Sequence, residues 1–173
     1  MIKLYIANLG KYNEGELVGK WISLPMDMDN FKENFLPSIQ IDGQKYEEIA
    51  IHDYESDIEG LTIGEYDNIE ELNDMAEAYD NLDEYDQKVV NAVIEWSYYG
   101  ANGIQEAIDS VDDFRLNEDV TNDDEYGNYL IDEGLMGDIP KNIIMYIDTE
   151  KLGRDAYING DNFYSSNGLI ERC

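Results

Sequence analysis

The 173-residue sequence has one cysteine, one histidine and eleven Lys and Arg, and each shortage excludes something. Cys173, at the very end, allows no internal disulfide and no thiolate metal site, and reads as an incidental reduced thiol. His52, in "AIHDYE", leaves any His-built zinc site or Ser-His-Asp triad a single imidazole; it reads as a strand histidine hydrogen-bonded to a neighbour. No run approaches the roughly 18 apolar residues of a membrane span. The opening "MIKLYIANLG" lacks the long apolar core of a secretory leader, so a cytosolic protein with no membrane partner is expected. Eleven Lys and Arg face 40 Asp and Glu, a formal net charge of -29, which anionic lipid and nucleic acid would both repel. Direct DNA binding is therefore not expected.

The apolar content, 43% with 14 Tyr, 4 Phe and 2 Trp, is enough for a folded core, whereas highly charged disordered chains are poor in aromatics. The charge is segregated. Residues 46 to 140 hold 29 acids against only Lys88 and Arg115, a balance of -27, while the segments on either side each sit near -1. A solvation strategy would spread acid over the whole surface, so the segregation points to a charged feature with a task.

The densest stretch is "IEELNDMAEAYDNLDEYD", residues 69 to 86, with Glu70, Glu71, Asp74, Glu77, Asp80, Asp83, Glu84 and Asp86 and no base. Ile69, Leu72, Met75, Ala76, Tyr79 and Leu82 recur every three or four residues and line one side of a helix. Asn68 followed by Glu71 reads as a capping box that starts this helix just before Ile69. Glu70, Glu71, Asp74, Glu77 and Asp80 then share the opposite side. At about 1.5 Å rise per residue they place a charge every 3 to 4 Å or so along the axis. One strand of duplex DNA carries a phosphate about every 3.4 Å.

Along the chain, "IKLYIANL" and "ELVGKWISL" read as strands separated by a Gly10 to Gly15 loop, and "MDNFKENF" as a short helix. Asp42-Gly43 is a type I′ hairpin signal between "SIQI" and "KYEEIAIHDY". From about 62 to 110 the period turns helical: "NIEELNDMAEAY", "DEYDQKVVNAVIEWSYYG" and "NGIQEAIDSV", with Gly100 and Gly103 separating the last two. Tyr85, Val89, Val90, Val93, Ile94, Trp96 and Tyr98 supply packing for the central helix. Beyond 111, "DDFRL" reads as a strand and "NDDEYGNYLIDEG" as an amphipathic helix closed by Gly134. Pro140 opens another helix, and "DAYING" with "NFYSS" reads as a closing hairpin. The fold class is α+β, in three small domains forming an elongated chain: an N-terminal α+β unit with an antiparallel sheet (1–61), a central acidic helical bundle (62–110) and a C-terminal α+β unit (111–173).

Most familiar chemistry fails on spacing. "EGELVGK" has Glu14 where a phosphate loop needs Gly, and Trp21 where Ser or Thr should bind magnesium. "DYESDIEGLTIG" has Ile58 at the turn glycine of a calcium loop and Gly64 at its bidentate Glu. No pair among the 40 acids is marked for hydrolase work in an apolar pocket, and no cofactor, metal or catalytic residue is expected. What remains is the acid itself. It is either a solvated face or a surface that competes for a Lys- and Arg-lined DNA-binding cleft. Like charges at i, i+4 spacing cost a few tenths of a kcal/mol per pair, which favours the second. An acidic chaperone-like module for a basic nucleic-acid-binding protein is the alternative.

"YIANLGKYNEGELVGKWISLP" (5 to 25), "IHDYE" (51 to 55), "IGEYDNIEELN" (63 to 73) and "GLMGDIPKNIIMYIDTEKLGRD" (134 to 155) resemble, in this order, the ArdA family of antirestriction proteins. The resemblance implies an inhibitor, carried by mobile genetic elements, that imitates bent B-form DNA and occupies the DNA-binding site of bacterial type I restriction-modification enzymes. It also implies an elongated three-domain chain that pairs into a homodimer through its C-terminal domain. The family's antirestriction motif corresponds to about Tyr126 to Pro140, whose Leu130, Ile131, Leu135 and Met136 are assigned to dimer packing. Contact with a basic cleft is assigned to exposed acids: the eight above together with Asp109, Asp112, Asp113, Glu118, Asp119, Asp123, Asp124 and Glu125.

Overall fold

A computed structural model of the chain describes residues 2–58, 60–97 and 101–173. In chain order the elements are β1 (Ile2–Asn8), α1 (Leu9–Asn13), β2 (Gly19–Leu24), α2 (Met28–Asn30), a π turn (Phe31–Phe35), α3 (Leu36–Ser38), β3 (Ile49–Ser56), α4 (Ile69–Asp80), α5 (Glu84–Ser97) and α6 (Ala101–Asp109). A short 3₁₀ turn (Val111–Asp113) then leads to β4 (Phe114–Asn117), α7 (Asp123–Asp132), α8 (Lys141–Ile144), α9 (Thr149–Asn159), β5 (Asn162–Ser165) and β6 (Gly168–Arg172). The class is α+β, with two antiparallel three-stranded sheets ordered β2-β1-β3 and β4-β6-β5. The chain divides into two compact units. The first holds the chain up to Asp83 and nearly all of α6; the second holds α5 and the chain from Asp109 to Cys173.

In the first unit β1 is the middle strand, and alternation sends Ile2, Leu4 and Ile6 into the core beside Ile22 and Leu24 of β2. On the opposite face Tyr5 meets Trp21 edge-on, with ring centroids 5.6 Å apart, and Lys3 pairs with Glu55 at 3.0 Å. The register between β1 and β3 shifts between Tyr5 and Ile6, opposite Asp53 and Ile51, which leaves His52 as the additional residue of a bulge. Its half-buried ring stands edge-on to Tyr12, with centroids 4.6 Å apart. Helix α4 packs toward β2, and its one buried polar side chain, Asn73, accepts the Met26 N–H at 2.7 Å. That bond satisfies a backbone donor just beyond the strand, where an orphan would cost about 1–3 kcal/mol.

The second unit is a three-layer stack. Phe114, Leu116, Ile170 and Phe163 share one sheet face, and Trp96 of α5 lies against Phe114 and Phe163 at centroid distances of 6.2 and 6.3 Å. The other face carries Leu169 and Tyr164, covered by Tyr126 and Leu130 of α7 and Leu152 and Ala156 of α9. Because both faces are covered, β6 buries Gly168, Leu169 and Ile170 in succession instead of alternating.

The structure departs from the sequence expectations at four places. The Gly10 to Gly15 stretch is not all loop: Asn8 accepts the Lys11 N–H at 2.9 Å and caps α1. Asp42-Gly43 closes no hairpin, because only Gly43 has positive φ and "SIQI" forms no strand. The Asp42 carboxylate instead accepts the N–H groups of Gln44, Lys45 and Tyr46, an Asx turn that needs no second strand. "DAYING" is not a strand but the end of α9, seeded by Asp148 accepting the Lys151 N–H; the closing hairpin pairs β5 with β6. Gly103 lies within α6 rather than ahead of it. Tyr98 and Gly100 fall outside the described residues.

Candidate functional site

Helix α4 is built to hold one apolar and one anionic face. Asn68 accepts the Glu70 N–H at 2.9 Å and so starts the helix where the spacing predicts. Glu71 takes the Asn68 side-chain amide at 3.4 Å instead of the backbone N–H of a strict capping box. Ile69, Leu72, Met75, Ala76 and Tyr79 are buried, while Glu70, Glu71, Asp74, Glu77 and Asp80 are all exposed. Glu70 pairs with Lys32. Asp74, Glu77 and Asp80 make no side-chain hydrogen bond or ion pair among the described residues. The last turn carries no base, so Glu77 and Asp80 sit at the wrong end of the helix dipole. Folding alone would not choose this arrangement.

Beside the start of α4 a cavity of about 500 Å³ opens between Tyr66 and the Glu71, Asp74 and Met75 side chains. Asp67 adds a third carboxylate to its lining. Its chemistry suits a cation and would repel a phosphate.

The predicted acids of the second unit lie in first turns and connections. Glu84 and Asp86 occupy the first turn of α5, Asp112 and Asp113 the 3₁₀ turn, Glu118 and Asp119 the segment after β4, and Asp123, Asp124 and Glu125 the first turn of α7. Asp109 is exposed as well, as is Asp83 at the end of the first unit's run. All of the predicted acids are exposed except Asp86 and Asp123, which are half-buried. Some have structural partners. Asp123 accepts the Tyr164 hydroxyl at 3.1 Å and Asp124 accepts the Thr149 hydroxyl. Glu125 accepts both the hydroxyl and the N–H of Thr121, at 2.8 and 2.7 Å, and those bonds hold its carboxyl below the ordinary value, the hydroxyl foremost. Asp112, Asp113 and Asp119 make no such side-chain contact among the described residues.

Sequence reasoning passed over Lys88, whose ammonium bridges Glu84 at 3.3 Å and Glu118 at 2.8 Å. The Glu118 hydrogen bond, and then that of Glu84, raises its pKa above the ordinary lysine value. It also passed over Asp132, Glu133, Asp138 and Glu65, all exposed. Their only signal was the excess of acid over residues 46 to 140.

The apolar residues assigned to dimer packing separate in space. Leu130 is 7% exposed, inside the core of its own unit, and Ile131 is half-buried. Leu135 and Met136 are 59% and 48% exposed. Among the described residues no His, Cys, Asp and Glu group is arranged to hold a metal, and no helix is long and apolar enough to cross a membrane.

No curated protein matches the chain. The family model for antirestriction protein (ArdA) matches residues 4–171, from within β1 to within β6. On that match the chain belongs to the ArdA family of antirestriction proteins, non-enzymatic DNA mimics that inhibit type I restriction enzymes.

Proposed function

We propose that the exposed carboxylates of both units act as surrogate phosphates, filling the DNA-binding cleft of a type I methyltransferase or endonuclease complex in competition with duplex DNA. The inhibition is stoichiometric and involves no bond making. The acids of α4 together with Asp83, Glu84, Asp109, Asp112, Asp113, Glu118 and Asp119 meet the cleft, and Asp86, Asp123, Asp124 and Glu125 add to the negative field of the second unit. Electrostatic steering speeds the encounter, and many carboxylate pairs with Lys and Arg then hold the complex. The observation that carries this reading is the run of Asp74, Glu77 and Asp80, exposed and without a base along one side of α4.

The amount of charge supports the same reading. At two charges per base pair, the -27 of residues 46 to 140 equals that of about 13 base pairs of duplex. Two copies double this, a length suited to a large multisubunit enzyme. We assign the pairing of two copies to the second unit, with Leu135 and Met136 at the contact and Ile131 beside them. The site of action is the bacterial cytoplasm, where the restriction enzyme meets incoming DNA.

Displacement of a labelled cognate duplex from a purified type I methyltransferase tests the proposal. A molar excess of this protein releases the duplex at low salt, and release weakens at higher salt. Retention of the duplex at low salt, or binding to histone-like proteins with the methyltransferase left alone, would overturn it.

A further inference from the structure

Lys88 is one of only two bases between residues 46 and 140, and by net charge alone it should weaken a phosphate mimic. Its placement points elsewhere. The Nζ lies 3.3 Å from Glu84 Oε1 and 2.8 Å from Glu118 Oε2, so those two oxygens stand no more than 6.1 Å apart. The carboxylates belong to different elements, the first turn of α5 and the segment after β4. Without a cation between them they would repel each other and swing apart in water.

The backbones beneath them are clasped at the same point. The Tyr85 hydroxyl accepts the Leu116 N–H at 3.0 Å and donates to the Leu116 carbonyl at 3.3 Å. Glu84 is the residue before Tyr85, and Glu118 lies two beyond Leu116. Lys88 itself is 32% exposed, so its stem is partly held by the protein, whereas the Glu84 and Glu118 side chains are 88% and 48% exposed and present outward. Tyr85 fixes the main chains and Lys88 fixes the carboxylates above them.

Resting on the proposed function, we infer that Lys88 is a positioning residue of the inhibitory surface: it holds Glu84 and Glu118 as a preset pair of anions that the enzyme's cleft reads as neighbouring phosphates. The energetic gain is preorganisation, since the two side chains need not be ordered on binding. A net-charge account gives the opposite sign for its removal, which makes the two separable.

The test compares wild type, Lys88→Met, Lys88→Arg and the Glu84→Gln/Glu118→Gln pair with and without Lys88→Met, reading association and dissociation rates on a type I methyltransferase core and the thermal midpoint of each variant. Lys88→Met should associate as fast as wild type or faster and dissociate about three- to tenfold faster, the range of one or two exposed ion pairs. Lys88→Arg should restore the wild-type dissociation rate. In the Glu84→Gln/Glu118→Gln background Lys88→Met should change dissociation by less than about twofold, because the pair it positions is gone. Lys88→Met inhibiting as well as wild type, or costing the same in both backgrounds, would overturn the inference while leaving the proposed function standing. Failure of the wild type to displace DNA would overturn both.

Discussion

Gly127 of α7 lies so close to Thr149 of α9 that an added Cβ would fall 1.9 Å from the Thr149 carbonyl oxygen. The relationship is reciprocal, since a Cβ on Gly153 of α9 would fall 1.8 Å from the Asp123 carbonyl of α7. The two helices touch backbone to backbone, which no other residue type permits. Gly127→Ala or Gly153→Ala should therefore cost about 3 kcal/mol by forcing the helices apart. Denaturant unfolding checks this, with Arg154→Ala, on an exposed side chain of the same helix, expected within about 0.5 kcal/mol of wild type.

Function and stability should move in opposite directions on α4. Replacing Asp74, Glu77 or Asp80 singly by its amide should weaken inhibition less than about fivefold, as for loss of one exposed ion pair. The triple replacement should weaken it by about 10- to 100-fold as these losses add. The same triple variant should unfold at a higher temperature, because it removes like-charge neighbours and two carboxylates from the wrong end of the helix dipole. A triple variant that loses stability and keeps inhibition would count against the assignment of these residues.

The pH limits of the second unit follow from named groups. Burial first, and then the Glu171 and Asp123 carboxylates, raise the Tyr126 and Tyr164 phenols above their ordinary 10.0. A raised phenol contributes stability in full below pH 10 and loses it as the pH rises further. Glu125 is shifted the other way, so its contribution is present above its ordinary 4.5 and lost as the pH falls below that value. Tyr126→Phe and Tyr164→Phe should each flatten the alkaline limb of a thermal-midpoint profile, and Glu125→Gln should flatten the acid limb.

Leu135 and Met136 face solvent, as do Met145 and Tyr146 further along, at 78% and 79% exposed. On the pairing proposed above, the wild type should sediment as a dimer and a Leu135→Glu/Met136→Glu variant as a monomer at the same concentration. The variant's thermal midpoint should fall only by what association contributes, so that it matches wild type diluted to the monomer and no longer depends on protein concentration. Wild type sedimenting as a monomer throughout would remove the pairing assignment.

The parts of the fold legible in the sequence were those set by local side-chain chemistry. Asn68 and the three- and four-residue apolar spacing placed α4 and its acidic side almost residue for residue, and Pro140 and Gly134 bracketed the turn before α8. The errors came where one local signal had two outcomes. Asp42-Gly43 is as good an Asx turn as a hairpin, and only the missing partner strand decides between them. "DAYING" ends in Asn-Gly like a hairpin, but Asp148, eleven residues before Asn159, had already started a helix that Gly153 lets dock against α7. Tertiary closeness of that kind leaves no periodic trace. For the same reason Leu130 and Leu135, equally apolar in the sequence, end in a core and in solvent, and Lys88 gave no sign that it would reach an acid 30 residues away.

The most direct test of carboxylates standing in for phosphates is the salt dependence of the inhibition constant against a type I methyltransferase. Ion release from a cleft that grips several phosphate-like charges predicts a linear fall in log affinity with log salt, amounting to about 10³-fold between about 50 and 200 mM for some six contacts. The slope should decrease in the α4 triple variant. An inhibition constant that stays within about twofold over that range would mean that the enzyme is held by something other than charge, and would contradict the account.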